Sequence, residues 1–318
     1  MVATLLNNAG VSESIIALLR AAVAFLGTFF FLKWMMPYLP SDQGREYAVD
    51  GALSKGKARG AGIVFVLVFV VTVLLFTPMK LEHIIYLILV VLAMLTGFLD
   101  DAAKTPWGEY KKGFLDLVIA VLIAVTFIHY NSTEVTLALF GVSFVIPKIL
   151  FGILVVILVW AAINVTNCSD GVDGLSATLT IITLSSAYLL IHDPFGKLVP
   201  AFILCLFAYL WYNANPSSLL MGDAGSRAMG LFIAITMLKT QSPFLYLLLG
   251  LITILDGGLG LIKVSLKRFL KISILTHTTC PLHDHVRKNK GWSNNQVVFR
   301  FAILQIVICI AALLLVRA

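Results

Sequence analysis

Four short stretches collect carboxylates, amides and histidines that could do chemistry. They are Phe98 to Lys104 (FLDDAAK), Asn164 to Gly174 (NVTNCSDGVDG), Asn213 to Ser226 (NAN…MGDAGS) and Pro281 to Trp292 (PLHDHVRKNKGW). Asp100 and Asp101 end an apolar run. At a helix C-terminus two carboxylates are unfavourable by a few tenths to about 1 kcal/mol each. Either they form a solvated helix end with Lys104 as partner, or they meet a cation or take a proton. Asp170 and Asp173 precede the next apolar run and alternate with Gly171 and Gly174, after Asn164 and Asn167. Helix capping would explain the acids alone; the glycines suit a backbone that a ligand must approach closely. Asp223, in Met-Gly-Asp-Ala-Gly-Ser, has the same two readings.

His283 and His285 alternate with Asp284 and precede Arg287, Lys288 and Lys290. A zinc site would need further cysteine or histidine partners, and Cys280 alone does not supply them. A basic loop with imidazoles beside acidic clusters suits phosphate binding. The plainer alternative is a juxtamembrane loop attracted to anionic lipid. Acids without a phosphate-binding glycine loop point to Mg2+ held by oxygen ligands together with substrate phosphates. One soluble phosphorylated substrate and one lipid substrate follow.

The elements that must position these residues are apolar. Of 318 residues, 60% are hydrophobic and 12% charged, against about 25% charged in soluble domains. Mean hydropathy is +0.98. A soluble enzyme, a disordered chain and a secreted disulfide scaffold are excluded, and so is an outer-membrane barrel, whose strands alternate polar and apolar. The four cysteines read as ordinary small residues. About ten apolar segments occur, near 14–39, 60–77, 82–100, 114–130, 148–166, 174–191, 198–212, 226–238, 243–266 and 297–316; a spanning helix needs about 20 residues. The first reads as a retained span, without a cleavage site. The eighth is short, and the ninth should bend at Asp256, Gly257 and Gly258. The expected fold is an all-α polytopic membrane protein forming one domain over 1–318.

Charge sets the orientation. Loops after odd-numbered spans carry sixteen basic residues, among them Arg45, Lys55, Lys57, Arg59, Lys104, Lys111, Lys112, Arg227 and Lys263. The opposite side carries five: Lys80, Lys148, Lys197, Lys239 and Arg317. The positive-inside bias puts the richer side in the cytoplasm and both termini outside, in a plasma or inner membrane. All four polar stretches then face the cytoplasm. A transporter would place such groups near mid-membrane on broken helices, so chemistry at the membrane surface is the better reading.

These motifs together resemble the polyprenyl-phosphate N-acetylhexosamine-1-phosphate transferases, and within them the branch that transfers phospho-MurNAc-pentapeptide. The match runs from about 45 to 305. The resemblance implies ten transmembrane helices, a homodimer in the bilayer, a requirement for Mg2+ and no nucleic-acid partner. The implied substrates are UDP-MurNAc-pentapeptide and undecaprenyl phosphate, giving lipid I and UMP. Carried over by motif, Asp100 and Asp101 match an Asp-Asp pair, one member of which deprotonates or positions the lipid phosphate. Asp223 matches the metal aspartate, with Asn167 and Asp100 as further metal-facing residues. Asn167, Asp170, Gly171 and Asp173 match a loop facing the uridine diphosphate, and Asn213 an asparagine ten residues before the metal aspartate. Lys111 or Lys112 matches a lysine near the nucleoside. His283 and His285 match the outer members of a triple-histidine motif, with Asp284 in the middle.

An early lysine- and glycine-rich motif corresponds to Leu53–Gly62, with Lys55 or Lys57 for its lysine. Asp256 and Lys263 stand where the family usually has Glu and Gln. Seven apart, they should share a helical face and either pair or line the nucleotide cleft. Two rival readings are a sister enzyme moving GlcNAc-1-phosphate and a transporter of nucleotides or lipids. Pro281-Leu282-His283, Gly291-Trp292 and Arg300-Phe301 favour the muramyl branch.

Overall fold

Long apolar runs satisfy their backbone groups by coiling, as a chain crossing lipid must. The computed structural model describes residues 2–44 and 54–317; Arg45 and Leu53 lie outside them. Helices α1 Val2–Asn8, α2 Glu13–Met35, α3 Gly62–Phe76, α4 Leu81–Asp101 and α5 Glu109–Tyr130 come first. A hairpin of β1 Glu134–Leu137 and β2 Val142–Val145 leads to α6 Lys148–Cys168, α7 Leu175–Tyr188, α8 Val199–Asn213 and α9 Gly222–Lys239. Then follow α10 Tyr246–Leu249, α11 Leu251–Thr253, α12 Leu259–Ser265, α13 Leu282–Lys290 and α14 Asn294–Arg317.

Among the described residues, six helices are long and apolar enough to cross a membrane, and the bent pair Pro243–Leu249 and Leu251–Leu270 adds a seventh if counted as one span. α3 and α7 are apolar but shorter. Leu18, Phe30, Ile149, Ile157, Val307 and Leu314 point outward, as side chains do against acyl chains. The chain is a multi-pass membrane protein, mostly helical. The all-α expectation needs one correction, the hairpin. Its β-branched Val135 and Thr136 pair with Phe144 and Ser143, and Gly141 takes a positive φ in the turn.

α9 is the centre of the bundle, and all eighteen of its residues are buried. Small residues allow this. A Cβ on Gly97 of α4 would come within 2.4 Å of the Asp223 carbonyl oxygen, and one on Gly230 within 2.4 Å of the Ala162 carbonyl oxygen on α6. Below the polar end, Phe69, Phe202 and Phe232 interlock, with the Phe202 and Phe232 centroids 4.4 Å apart. The eighth apolar segment is therefore longer than the sequence suggests and shielded from lipid. Arg227 and Lys239, counted above as loop charges, are buried within it. Lys239 Nζ lies 3.0 Å from Glu82 Oε1 and 3.1 Å from Asp193 Oδ2, and donates to Asn131 Oδ1 at 2.9 Å. A charge inside a bundle needs such partners.

The ninth segment bends by 72° at Gly250, not at Asp256–Gly258. The break frees backbone groups, and Gln305 of α14 takes them up. Its Oε1 accepts from Ile252 N at 2.9 Å and its Nε2 donates to the Leu249 carbonyl at 2.6 Å. The Ile254–Gly258 stretch is instead a π-helical turn.

Candidate active site

Four helix ends and one loop meet at the polar end of the bundle. α4 ends in Asp100 and Asp101, α5 begins with Lys111 and Lys112, α6 ends near Asn167, and α9 begins with Gly222 and Asp223. The loop before α3 brings Asp42 and Arg59.

Arg59 ties three carboxylates together. Its Nε donates to Asp101 Oδ1 at 2.8 Å, Nη1 to Asp42 Oδ1 at 2.8 Å, and Nη2 to Asp223 Oδ1 at 3.5 Å. A planar guanidinium suits this work because its five donors are fixed in a fork. Burial opposes its charge, but Asp101, Asp42 and Asp223 outweigh that and raise its pKa above the ordinary value. Burial likewise pushes the Asp42 carboxyl up, yet hydrogen bonds from Ser54 and Arg59 and the Arg59 charge hold it below the usual range. Arg59 and Asp42 are the residues that sequence reasoning missed. Arg59 passed as one more topology charge; its place among Gly56, Gly60 and Gly62 was the available signal.

Lys112 Nζ lies 3.0 Å from Asp223 Oδ2 and also pairs with Asp100 Oδ2. Lys111 turns away, its Nζ 3.3 Å from the centre of the Trp107 ring. Of the two lysines, the geometry brings Lys112 to the acids. Asp100 Oδ1 accepts the Trp107 N–H at 2.6 Å, which fixes the α4–α5 turn. Asp101 accepts from the backbone N–H groups of Asp223 and Ala224, both at 3.1 Å. Gly222 has φ +67°, and a Cβ there would come 2.1 Å from Asp101 Oδ2, so glycine is required.

Asn167 donates to Ser226 Oγ at 2.8 Å, one turn from Asp223 on α9. Asp170 is half-buried in the following turn, its N–H bonded to the Asn167 carbonyl at 3.2 Å. Asp173 Oδ2 accepts from Ser217 N at 3.2 Å and lies 3.6 Å from Lys57 Nζ. Asn213 accepts from Gly174 N at 2.8 Å and donates to the Leu219 carbonyl at 2.9 Å. It therefore clamps two loops together.

The histidine segment reaches the same end through Gly171. A Cβ there would stand 2.2 Å from His283 Nε2. His283 Nδ1 lies 2.9 Å from Asp256 Oδ2, and its backbone N–H donates to Asp256 Oδ1 at 2.8 Å. With Nδ1 donating to the carboxylate, Nε2 faces the 170–174 turn. Asp284 pairs with Arg287 at 3.4 Å. His285 Nδ1 accepts from Thr279 N at 3.2 Å and bonds the Asn289 amide at 2.8 Å, both within its own segment.

Three sequence expectations take a different form. Asp256 and Lys263 do not pair; the π-turn between them breaks the α-helical period that would align residues seven apart. Lys263 Nζ instead donates to the carbonyls of Leu275 at 2.9 Å and Thr278 at 2.7 Å, holding the 271–281 loop. Lys104 and Lys55 are exposed, and within the described residues Lys57, not Lys55, reaches Asp173.

The arrangement can bind a phosphorylated anion and a small hard cation. One ammonium, Lys112 Nζ, already touches both Asp100 and Asp223, so a single cation can meet both carboxylates. Among the described residues no three His, Cys, Asp or Glu side chains are grouped as a metal cage. Mg2+ in general takes one or two carboxylates and completes its shell with waters and substrate phosphates.

The sequence model of glycosyl transferase family 4 matches residues 83–241. A phospho-N-acetylmuramoyl-pentapeptide-transferase of Treponema pallidum (strain Nichols) is 41% identical over 319 residues, covering 92% of this chain and 88% of the relative. Transferases of the same name from Helicobacter pylori (strain Shi470) and Dictyoglomus turgidum are 28% and 27% identical, over 93% and 94% of this chain. The matched span runs from the start of α4 to just past α9 and so holds both acidic helix ends; the chain belongs to glycosyl transferase family 4 and, within it, to the phospho-N-acetylmuramoyl-pentapeptide transferases.

Proposed function

We propose that this protein transfers phospho-MurNAc-pentapeptide from UDP-MurNAc-pentapeptide to undecaprenyl phosphate, a step of peptidoglycan synthesis. The observation that carries the site assignment is the meeting of Asp100, Asp101 and Asp223 with Arg59 and Lys112 at one end of a lipid-facing bundle. Such an end is reached by a soluble nucleotide from the water and by a lipid phosphate from the side.

In the reaction, an oxygen of the lipid phosphate attacks the sugar-bearing phosphorus of the diphosphate. The bond from that phosphorus to the bridging oxygen breaks, and UMP leaves with the electron pair. Lys112 and Arg59 neutralise charge on the phosphates, which otherwise repel one another. Asp100 orients the lipid phosphate and accepts its proton if it arrives protonated. Asp223, with Asn167 and Asp100 beside it, would hold Mg2+, and the ion would supply Lewis-acid polarisation of the diphosphate and of the leaving phosphate. Gly171, Asp170 and His283 form the wall for the uridine diphosphate, with Asp256 fixing the ring of His283.

The ten-span, cytoplasm-facing topology belongs to the same reading. Six long apolar helices, one bent pair, the shorter α3 and α7 and the buried α9 make ten. The basic bias survives removal of the buried Arg227 and Lys239. The site then faces the cytoplasm of the inner or plasma membrane, and both termini lie outside.

The test is UMP release by the purified protein with Mg2+ and undecaprenyl phosphate. UDP-MurNAc-pentapeptide should react far faster than UDP-GlcNAc. Equal or reversed rates would move the chain to the sister class, and no UMP from either would remove the enzymatic reading.

A further inference from the structure

Two ion pairs join α5 to α9 at the same sequence separation. Lys112 meets Asp223 at 3.0 Å. One helical turn further along both helices, Asp116 Oδ1 accepts from Arg227 Nε at 3.2 Å and, more closely, from Nη2. The signs alternate in both directions: Lys112 and Asp116 on α5 face Asp223 and Arg227 on α9. The first rung opens to the site, with the Lys112 side chain 29% exposed. The second is closed off, Asp116 and Arg227 each being 2% exposed.

The second rung is tied to the first. Arg227 Nη2 also donates to the Lys112 carbonyl at 3.4 Å. Asn164 of α6 donates to the other Asp116 oxygen at 3.4 Å. A buried ion pair adds little net stability over apolar residues of equal volume, and α9 is already packed by small residues. Stability alone therefore does not account for two charges here. Their position relative to Lys112 does. Asp116 follows Lys112 by four residues and shares its helical face. Left free, its carboxylate would compete with Asp100 and Asp223 for the Lys112 ammonium and draw it inward.

We propose that the Asp116–Arg227 pair is a positioning device for Lys112. Arg227 occupies the Asp116 carboxylate, and the Lys112 ammonium stays directed at the outer acids where the diphosphate is handled. The device rests on the reading of Lys112 as a phosphate-facing cation.

Five purified proteins test it: wild type, R227Q, D116N/R227Q, the charge swap D116R/R227D, and K112Q. Each is followed by UMP release from UDP-MurNAc-pentapeptide and by its thermal midpoint in detergent. R227Q leaves Asp116 free, and its kcat should fall about tenfold to a hundredfold, the scale of a misplaced catalytic group. D116N/R227Q removes the competing carboxylate and should recover at least about tenfold of that loss. The swap keeps a buried pair but sets a guanidinium beside Lys112 and a carboxylate one turn below Asp223. Its turnover should stay at the R227Q level while its thermal midpoint returns towards wild type. A pair that serves only folding predicts the opposite, restored turnover in the swap. That result, or a double variant no better than R227Q, overturns the proposal. Should R227Q not fold, the double variant must still be more active than the swap, and the reverse order overturns the proposal equally. Wild-type turnover in K112Q would instead remove the underlying reading of Lys112.

Discussion

Asp101 closes α4 and caps α9: its carboxylate accepts the backbone N–H of Asp223, and that of Ala224, each at 3.1 Å. A carboxylate poorly placed at the negative end of its own helix is well placed at the positive end of another. The same side chain holds Arg59. It thereby couples the position of the Asp223 carboxylate to the end of α4.

Asp101→Asn should lower both activity and stability. The change keeps the shape but weakens the cap, worth about 0.5–2 kcal/mol in helices generally, and loosens Arg59. Asp223→Asn should instead leave the fold intact, cut turnover by orders of magnitude and weaken the Mg2+ dependence. UMP release over a Mg2+ titration, with thermal midpoints alongside, separates the two. Near-wild-type turnover in both variants would contradict the assigned site.

Arg59→Lys should not substitute for arginine. An ammonium cannot reach Asp42, Asp101 and Asp223 at once in a fixed plane. Turnover should fall at least about tenfold even though the charge is kept. Activity equal to wild type would reduce Arg59 to the topology charge that the sequence suggested.

The neighbouring lysines should behave differently. Lys112→Ala removes the cation between Asp100 and Asp223, and turnover should drop by about two orders of magnitude or more. Lys111→Ala removes a cation lying over Trp107 and should change turnover by no more than about fivefold, since such a contact contributes about 0.5–1 kcal/mol at exposed sites. Steady-state kinetics on both variants decides which lysine serves the substrate.

Gly171→Ala should break the close packing of its turn on His283, because the new Cβ would meet Nε2 at 2.2 Å. His283 is held from behind by Asp256, so the turn carrying Gly171 must give way. The concentration of UDP-substrate needed for half-maximal rate should rise, with a small loss of thermal stability. An unchanged KM and turnover would detach the histidine segment from the nucleotide site.

Asp42 gives the chain a defined response to acid. Its folded pKa lies below the ordinary value, so its contribution is present above the unfolded carboxylate pKa of about 3.9. That contribution is lost as pH falls through the lowered folded value. Asp42→Asn should therefore lower the thermal midpoint at pH 7, and its gap from wild type should narrow as pH falls below about 4. A gap that stays constant with pH would show that the carboxylate charge is not what stabilises.

The class of the protein and most of its chemistry are legible in the chain alone. Apolar runs of span length can exist only as lipid-facing or buried helices. Asp100, Asp101, Asp223 and Asn167 stand out because acids and amides are scarce in such a chain, and Gly171 because it stands among them. Which charges meet is a matter of packing. Arg59 is separated by more than forty residues from Asp101, and the glycines around it do not say which acids it meets. Arg227 and Lys239 read as loop charges because a helix wholly enclosed by other helices has no lipid-facing surface to betray its length. Lys111 and Lys112 are adjacent in sequence, but about 100° of helical rotation separates successive residues, so only the packed helix shows which one faces the acids. The Asp256–Lys263 pairing failed for a related reason: a π-turn adds a residue to the period, and a face counted from the sequence no longer exists beyond it.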